Sequence, residues 1–226
     1  AALARSGVVP ADGDVLVLAQ KIVSKSEGRI VALAGVTPSS RARELAEVTG
    51  KDPRVIEVIL GESREVVRAA RDVIVVEDRR GHVMANAGID QSNVGRGEEA
   101  VLLLPEDPDA SCARLREALR AATGIDFGVI VNDSFGRAWR NGTVGVAIGV
   151  AGLAALVDLR GRPDRHGRIL RVTRIGLADE LASAASIVMG QADEGCPIVH
   201  VRGVPYARRE GTVRELLRPK SQDLFR

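Results

Sequence analysis

Two short runs in this chain hold almost nothing but aliphatic side chains: VLVLA at 15–19 and FGVIV at 127–131. Each is too short for an amphipathic helix, and neither alternates apolar with polar residues. Such a run reads as a strand buried on both faces. Both stop abruptly at polar residues, Gln20 after the first and Asn132 and Asp133 after the second. Whatever covers these strands must be aliphatic as well, because aromatics make up only 2% of the 226 residues while 45% are hydrophobic. The length suffices to bury a core in one large domain or two small ones.

The remaining elements follow from periodicity and punctuation. GRIVAL (28–33) reads as a strand, and CPIVHVRG (196–203) as a late one. TPSSRARELAEVTG (37–50) reads as a helix that Ser39 or Ser40 caps and Gly50 stops, with PRVIEVILGE (53–62) a short helix after it. Residues 71–88 read as two strands around a turn at Arg80-Gly81. DPDASCARLREALRAATG (107–124) predicts a helix with Leu115, Leu119 and Ala122 on its apolar face, and LADELASAASIVMG (177–190) another. Residues 158–172 read as a polar hairpin, and 211–225 as a helix followed by an extended arm. Strands and helices mix without strict βαβ alternation, which gives an α+β class with a mixed sheet, no internal repeat and no long linker. The expectation is a single domain over 1–226.

The charge balance excludes some functions. A net charge of +2 with no aromatic-and-basic stacking surface argues against nucleic acid. The longest apolar run, VGVAIGVAGLAALV (144–157), is too short and too rich in glycine to cross a bilayer, and no signal peptide is recognisable, so the expected location is the cytoplasm. Cys112 and Cys196 stand alone without metal-ligand spacing, and His82, His166 and His200 are scattered. The lysines are few: Lys21, Lys25, Lys51 and Lys220, of which two fall in QKIVSK (20–25).

Three polar stretches interrupt the apolar elements: AQKIVSKSEGR (19–29), NAGIDQSNVGRGE (86–98) and NDSFGRAWRNG (132–142). Asp90, among amides, hydroxyls and glycines, reads either as a turn that bonds its own backbone or as a hard-oxygen ligand for Mg²⁺ or Mn²⁺. Asp133 and Ser134 repeat the pairing of acid and hydroxyl at a strand end, and Arg137 and Arg140 suit phosphate or carboxylate. Acids in two loops, with lysines and arginines, are the parts phosphoryl transfer requires. Neither GxxxxGK[ST] nor GxGxxG occurs. Trp139, the only tryptophan, reads as a core or interface aromatic in preference to a base-stacking one.

Taken in order along the chain, DVLVLAQKIVSKSEGR, NAGIDQSNVGRGE, NDSFGRAWRNG, MGQADEGCPIVHVRG and LLRPKSQDLFR resemble the coenzyme F-420:L-glutamate ligase (γ-glutamyl ligase) family, including the ligase half of its two-domain actinobacterial relatives. The resemblance implies an unusual mixed-sheet fold working as an intertwined homodimer with its cleft at the subunit interface. It implies GTP, two divalent ions (Mg²⁺ or Mn²⁺) and a stimulating K⁺. L-Glutamate would be joined to the lactyl carboxylate of the deazaflavin precursor, with further glutamate added by γ-linkage. Position by position, Asp90 and Asp133 match metal ligands, Ser134 matches a Thr/Ser ligand, and Gln191 is the candidate ligand from the MGQADEG loop. Gln20, Lys25 and Asn93 match nucleotide contacts, with Gly190 in the loop that touches the nucleotide, and Arg137 is a candidate to hold a phosphate or carboxylate. Family members begin with a short strand and a proline-containing nucleotide loop, a segment expected before residue 1, and in fused relatives a reductase-like domain continues from a tail like LLRPKSQDLFR.

The residues alone leave two other readings open. One is a metal-dependent phosphatase or other phosphotransferase using the same acids. The other is a module that binds GTP without catalysis.

Overall fold

The computed structural model describes residues 6–92, 94 and 99–224. In chain order its elements are β1 (Val15–Ala19), α1 (Gln20–Ser26), β2 (Ile30–Ala32), α2 (Ser40–Thr49), α3 (Pro53–Gly61), β3 (Ser63–Ala70), β4 (Val73–Asp78), β5 (Val83–Ala85), β6 (Ala100–Leu102), α4 (Pro108–Thr123), β7 (Gly128–Arg137), β8 (Arg140–Ala151), β9 (Val157–Asp158), β10 (Arg174–Ile175), α5 (Leu177–Met189) and β11 (Ile198–Val201). The class is mixed α+β, as expected. The chain divides into two compact units. The first comprises Ala1–Ala19, Asp107–Ser134 and Val144–Leu216; the second comprises Gln20–Glu106, Phe135–Thr143 and Leu217–Arg226.

The first unit is organised on a four-stranded mixed sheet in the order β11-β1-β7-β8. β1 runs parallel to β7, with Val15 opposite Gly128 and Ala19 opposite Asn132, and antiparallel to β11, with Val15 opposite Val201. Val15, Val17 and Ile130 are fully buried and pack with Ala178, Ala182 and Ala185 of α5. Where side chains are this small, the layers must come close. An added Cβ at Gly149 would meet the Pro108 backbone at 2.5 Å, and one at Gly152 would meet Phe127 O at 2.6 Å. The glycine-spaced run after residue 144 therefore makes its close approach inside its own chain.

The second unit carries the antiparallel sheet β3-β4-β5 and the β2-β6 pair. Its core gathers Leu33, Ile56, Ile59, Ile74, Val76 and Val101, all fully buried. Its helices begin as their sequences dictate: the Ser39 hydroxyl accepts the Ala42 N–H at 3.2 Å, and the Asp52 carboxylate accepts the Arg54 N–H at 2.8 Å ahead of Pro53. A buried ionic group ties it further. Asp78 accepts the N–H groups of Arg80, Gly81 and His82, and the Arg80 and Arg29 guanidinium groups share Glu62.

Several sequence expectations are corrected. Residues 63–70 form an edge strand that the sequence did not announce, half-buried, with register shifts against β4. The polar stretch after β1 is a helix, α1. NDSFGR (132–137) is not a loop: β7 continues through it to Arg137, and the chain reverses at Ala138 and Trp139. Trp139 is no core residue. It is 87% exposed, with φ 64°, in the left-handed region. On α4, Pro108, Ser111 and Cys112 are the buried residues and Ala122 is exposed. The tail is two single 3-10 turns, Val213–Glu215 and Lys220–Gln222, in place of a helix. Pro219 explains the interruption, since it lacks an N–H and disfavours helix at the residue before it.

Asp14, ahead of β1, fastens the far end of the first unit's sheet. It is 2% exposed, accepts Arg202 Nε at 2.8 Å and Nη2 at 2.7 Å, accepts the Ala11 N–H at 2.8 Å, and lies 2.8 Å from His200 Nε2. Arg202 is the main reason its carboxyl is held far below the usual carboxylate range; burial opposes this, and His200 and Ala11 add to it. A depressed native pKa contributes stability above the unfolded value and loses it as pH falls through the native one. Asp14→Ala should therefore destabilise the protein by about 3 kcal/mol near neutrality, with the deficit shrinking as pH drops below about 4. Urea unfolding of both proteins over a pH series checks this.

Candidate active site

In the first unit the polar end of β7 meets the loop that follows α5. Successive strand residues face opposite sides, so Asn132 and Ser134 share one face and Asp133 takes the other. Asn132 is 5% exposed, and Asp133 and Ser134 are half-buried. Ser134 Oγ donates to Gln191 Oε1 at 2.8 Å. Gln191 follows Gly190, whose N–H caps α5 by donating to Ser186 O at 3.1 Å. Gly190 has φ 70° and ψ −173°, a conformation open to glycine alone. A side chain there would collide with the Glu194 carboxylate, which turns back to accept the Ala192 N–H at 2.8 Å. Backbone N–H groups of Ala192, Glu194 and Gln191 hold that carboxyl below its ordinary value.

These oxygens suit a hard cation. The 2.8 Å between Ser134 Oγ and Gln191 Oε1 is an ordinary O–H···O hydrogen bond, and it sets two hard-oxygen groups side by side. Asp133 is the carboxylate next in sequence. Among the described residues no three or more His, Cys, Asp or Glu side chains cluster as a metal cage.

In the second unit Asp90 is anchored by its backbone, which exchanges hydrogen bonds with Leu102 at 3.0 and 2.8 Å. Its Oδ1 accepts the Ser92 N–H at 2.7 Å and the Ser92 hydroxyl at 2.8 Å, which closes a local turn at Asp90. Its Oδ2 pairs with Lys21 Nζ at 2.7 Å. Burial pushes the Asp90 carboxyl up, but the bonds from Lys21 and Ser92 outweigh it and hold the group below the usual range. The segment before Asp90 is strained: Asn86, Ala87 and Gly88 have φ 55°, 54° and 68°. Only glycine fits at 88, where a Cβ would stand 2.7 Å from Leu104 Cδ1.

α1 presents the two lysines one turn apart, Lys21 on Asp90 and Lys25 exposed in the last turn. Gln20 is 2% exposed; its Oε1 accepts the Ser24 hydroxyl at 2.8 Å, and its Nε2 has no partner among the described residues. Asn93, Gly95 and Gly97 lie outside the described residues. At the β7–β8 tip Arg137, Trp139 and Arg140 are exposed, with Arg137 Nη2 donating to Asn141 O at 2.9 Å. Phe135, at the base of the tip, sets its ring edge-on to His82, centroids 6.1 Å apart.

The structure thus brings Ser134 and Gln191 together in the first unit. In the second it places Lys21, which the sequence had not assigned, on Asp90. The scarcity of lysine pointed to the QKIVSK stretch without separating the two.

A family model described as F420-0:Gamma-glutamyl ligase matches residues 1–203. The chain belongs to that family. It is 52% identical over 217 residues to a protein of Methanothermobacter thermautotrophicus named Coenzyme F420:L-glutamate ligase, covering 95% of this chain and 85% of the relative. A protein of the same name from Methanopyrus kandleri is 51% identical over 219 residues, with 95% and 86% covered, and one from Methanocaldococcus jannaschii is 46% identical over 217, with 95% and 85% covered. Among the described residues no helix is long and apolar enough to cross a membrane.

The exposed tip gives a direct check. As the only tryptophan, Trp139 should emit like an indole in water and be quenched readily by acrylamide. Trp139→Ala should change stability by no more than about 0.5 kcal/mol. A blue-shifted, shielded spectrum would contradict the exposed placement.

Proposed function

We propose that this chain is a GTP-dependent ligase that joins L-glutamate to the coenzyme F420 precursor, F420-0, through an acyl phosphate, and then adds further glutamate by γ-linkage. Family membership supports the ligase activity. The contact of Ser134 with Gln191, beside Asp133, supports a divalent ion bound on that edge.

The chemistry follows from the acceptor. A carboxylate is a poor electrophile toward an amine at neutral pH, since its carbonyl is resonance-stabilised and oxide is its leaving group. A carboxylate oxygen attacks the γ-phosphorus of GTP, GDP leaves, and the acyl phosphate carries a good leaving group. The glutamate amine adds to the acyl carbon, phosphate departs, and the amine loses a proton as the amide forms. Two divalent ions would neutralise the phosphate charge. Asp90, Asp133, Ser134 and Gln191 would hold them. Lys25, Gln20, Asn93 and Gly190 would contact the nucleotide, and Arg137 a phosphate or carboxylate. Lys21, already on Asp90, adds a second ammonium to that helix face. Positioning and charge neutralisation carry most of the catalysis. A homodimer and a K⁺ requirement belong to the same proposal.

Mass spectrometry of F420-0 incubated with glutamate, GTP and Mn²⁺ tests this, with added glutamyl units expected only when all are present. GTP hydrolysis that ignores acceptor and glutamate would mean a phosphatase, and GTP binding without product a non-catalytic module. Asp133→Asn should lower turnover by at least about 100-fold while the protein stays folded, because a charge is lost from a hard-cation site. Lys25→Ala should raise KM for GTP far more than KM for glutamate; the reverse pattern would place Lys25 on the other substrate.

A further inference from the structure

β7 carries Asp133 and Ser134, and the loop after α5 carries Gln191. Their separation is fixed one turn further into the fold. Asn132 Nδ2 donates to Ser186 Oγ at 3.0 Å and lies 3.5 Å from Met189 Sδ. Ser186 also offers its backbone carbonyl to the Gly190 N–H, which starts the loop. One residue thus holds the strand with its side chain and the loop with its backbone.

Gly145 on β8 completes the arrangement. A Cβ there would meet Asn132 Oδ1 at 2.7 Å and would also collide with Ser186 Oγ and the backbone carbonyl of Ala182. β8 and α5 are in contact with no room for a side chain. Two further bonds stitch the same surfaces together: Ser183 Oγ donates to Gly145 O at 2.7 Å, and the Ala147 N–H donates to Asp179 Oδ1 at 3.0 Å. The Asn132 amide is the tie nearest the loop. It is an expensive place for a polar group, since its Oδ1 is buried with no partner among the described residues. An aliphatic residue would continue the FGVIV run without that penalty.

We propose that Asn132, Ser186 and Gly145 act as a spacer that sets the distance between Ser134 and Gln191, and so the affinity for the divalent ion. This rests on reading Ser134 and Gln191 as cation ligands. Asn132 and Ser186 are positioning residues: they hold the groups that touch the ion. Interactions that orient metal ligands in this way are worth about 10–100-fold in metal affinity.

The experiment is a Mn²⁺ titration of the full chain, with free Mn²⁺ read by electron paramagnetic resonance. Ser186→Ala is compared with wild type and with Ser183→Ala, which removes a neighbouring bond of the same helix. Ser186→Ala should weaken Mn²⁺ binding about 10-fold or more, and Ser183→Ala should not. In ligation assays the half-saturating Mn²⁺ should rise by the same factor while kcat at saturating Mn²⁺ holds, a split that general loosening of the fold would not produce. Should Ser186→Ala fail to fold, Ser186→Cys takes its place: it is close to serine in size but a poor acceptor for the Asn132 amide, and it should show the same loss of Mn²⁺ affinity. Wild type that binds Mn²⁺ alongside an unchanged Ser186→Ala overturns the spacer alone, as does equal loss in the Ser183→Ala control. Wild type that takes up no Mn²⁺ overturns the metal reading beneath it.

Discussion

The parallel pairing of β1 with β7 is the constraint from which the first unit follows. Parallel strands cannot be joined by a tight turn. The connection here runs from residue 20 to residue 127 and contains the main body of the second unit. Because the strands run the same way, β1 ends at Ala19 opposite Asn132, where the polar half of β7 begins. In sheets with parallel pairs, binding groups gather at those ends. The aliphatic runs fix the sheet, and their polarity decides which edge carries the acid and the hydroxyl.

The scarcity of aromatic side chains shapes the rest of the packing. A core without large rings reaches normal density by bringing backbones together. Gly145, Gly149 and Gly152 along β8 and the end of its run do this against α5, Pro108 and Phe127. Alanines of α5 form the other half of the contact. The same closeness that fills the core also leaves Asn132 within reach of Ser186, so packing and ligand placement share one set of atoms.

Much of this was legible in the sequence, for physical reasons that differ by element. The two aliphatic strands, the helices over 37–50, 53–62, 107–124 and 177–190, and the 158–172 hairpin carry strong local signals: unbroken runs, caps, and Gly or Pro stops. The edge strand 63–70 has arginines and alanines on a half-exposed face, so its pairing is decided by β4 and not by its own composition. The NDSFGR stretch looked like a loop because polar residues dominate it, yet it extends as strand because β8 pairs with it. The core reading of Trp139 fails because the indole sits at the β7–β8 turn, where its own chain leaves it exposed. For the candidate site, residue types indicated hard-oxygen ligands, but the nearness of Ser134 to Gln191 spans 57 residues and is a property of α5 docking on the sheet.

The long connection between β1 and β7 also has a consequence in time. β1 leaves the ribosome early, but β7 follows more than a hundred residues later and β11 about 180 residues later. At 5–20 residues per second, an all-aliphatic strand waits about 10 to 35 s for its second neighbour. Meanwhile most of the second unit, contiguous from Gln20 to Glu106, is already complete enough to collapse. VLVLA is thus an aliphatic edge left without its partners for much of synthesis, and its shortness, five residues, limits how much sticky edge is on offer.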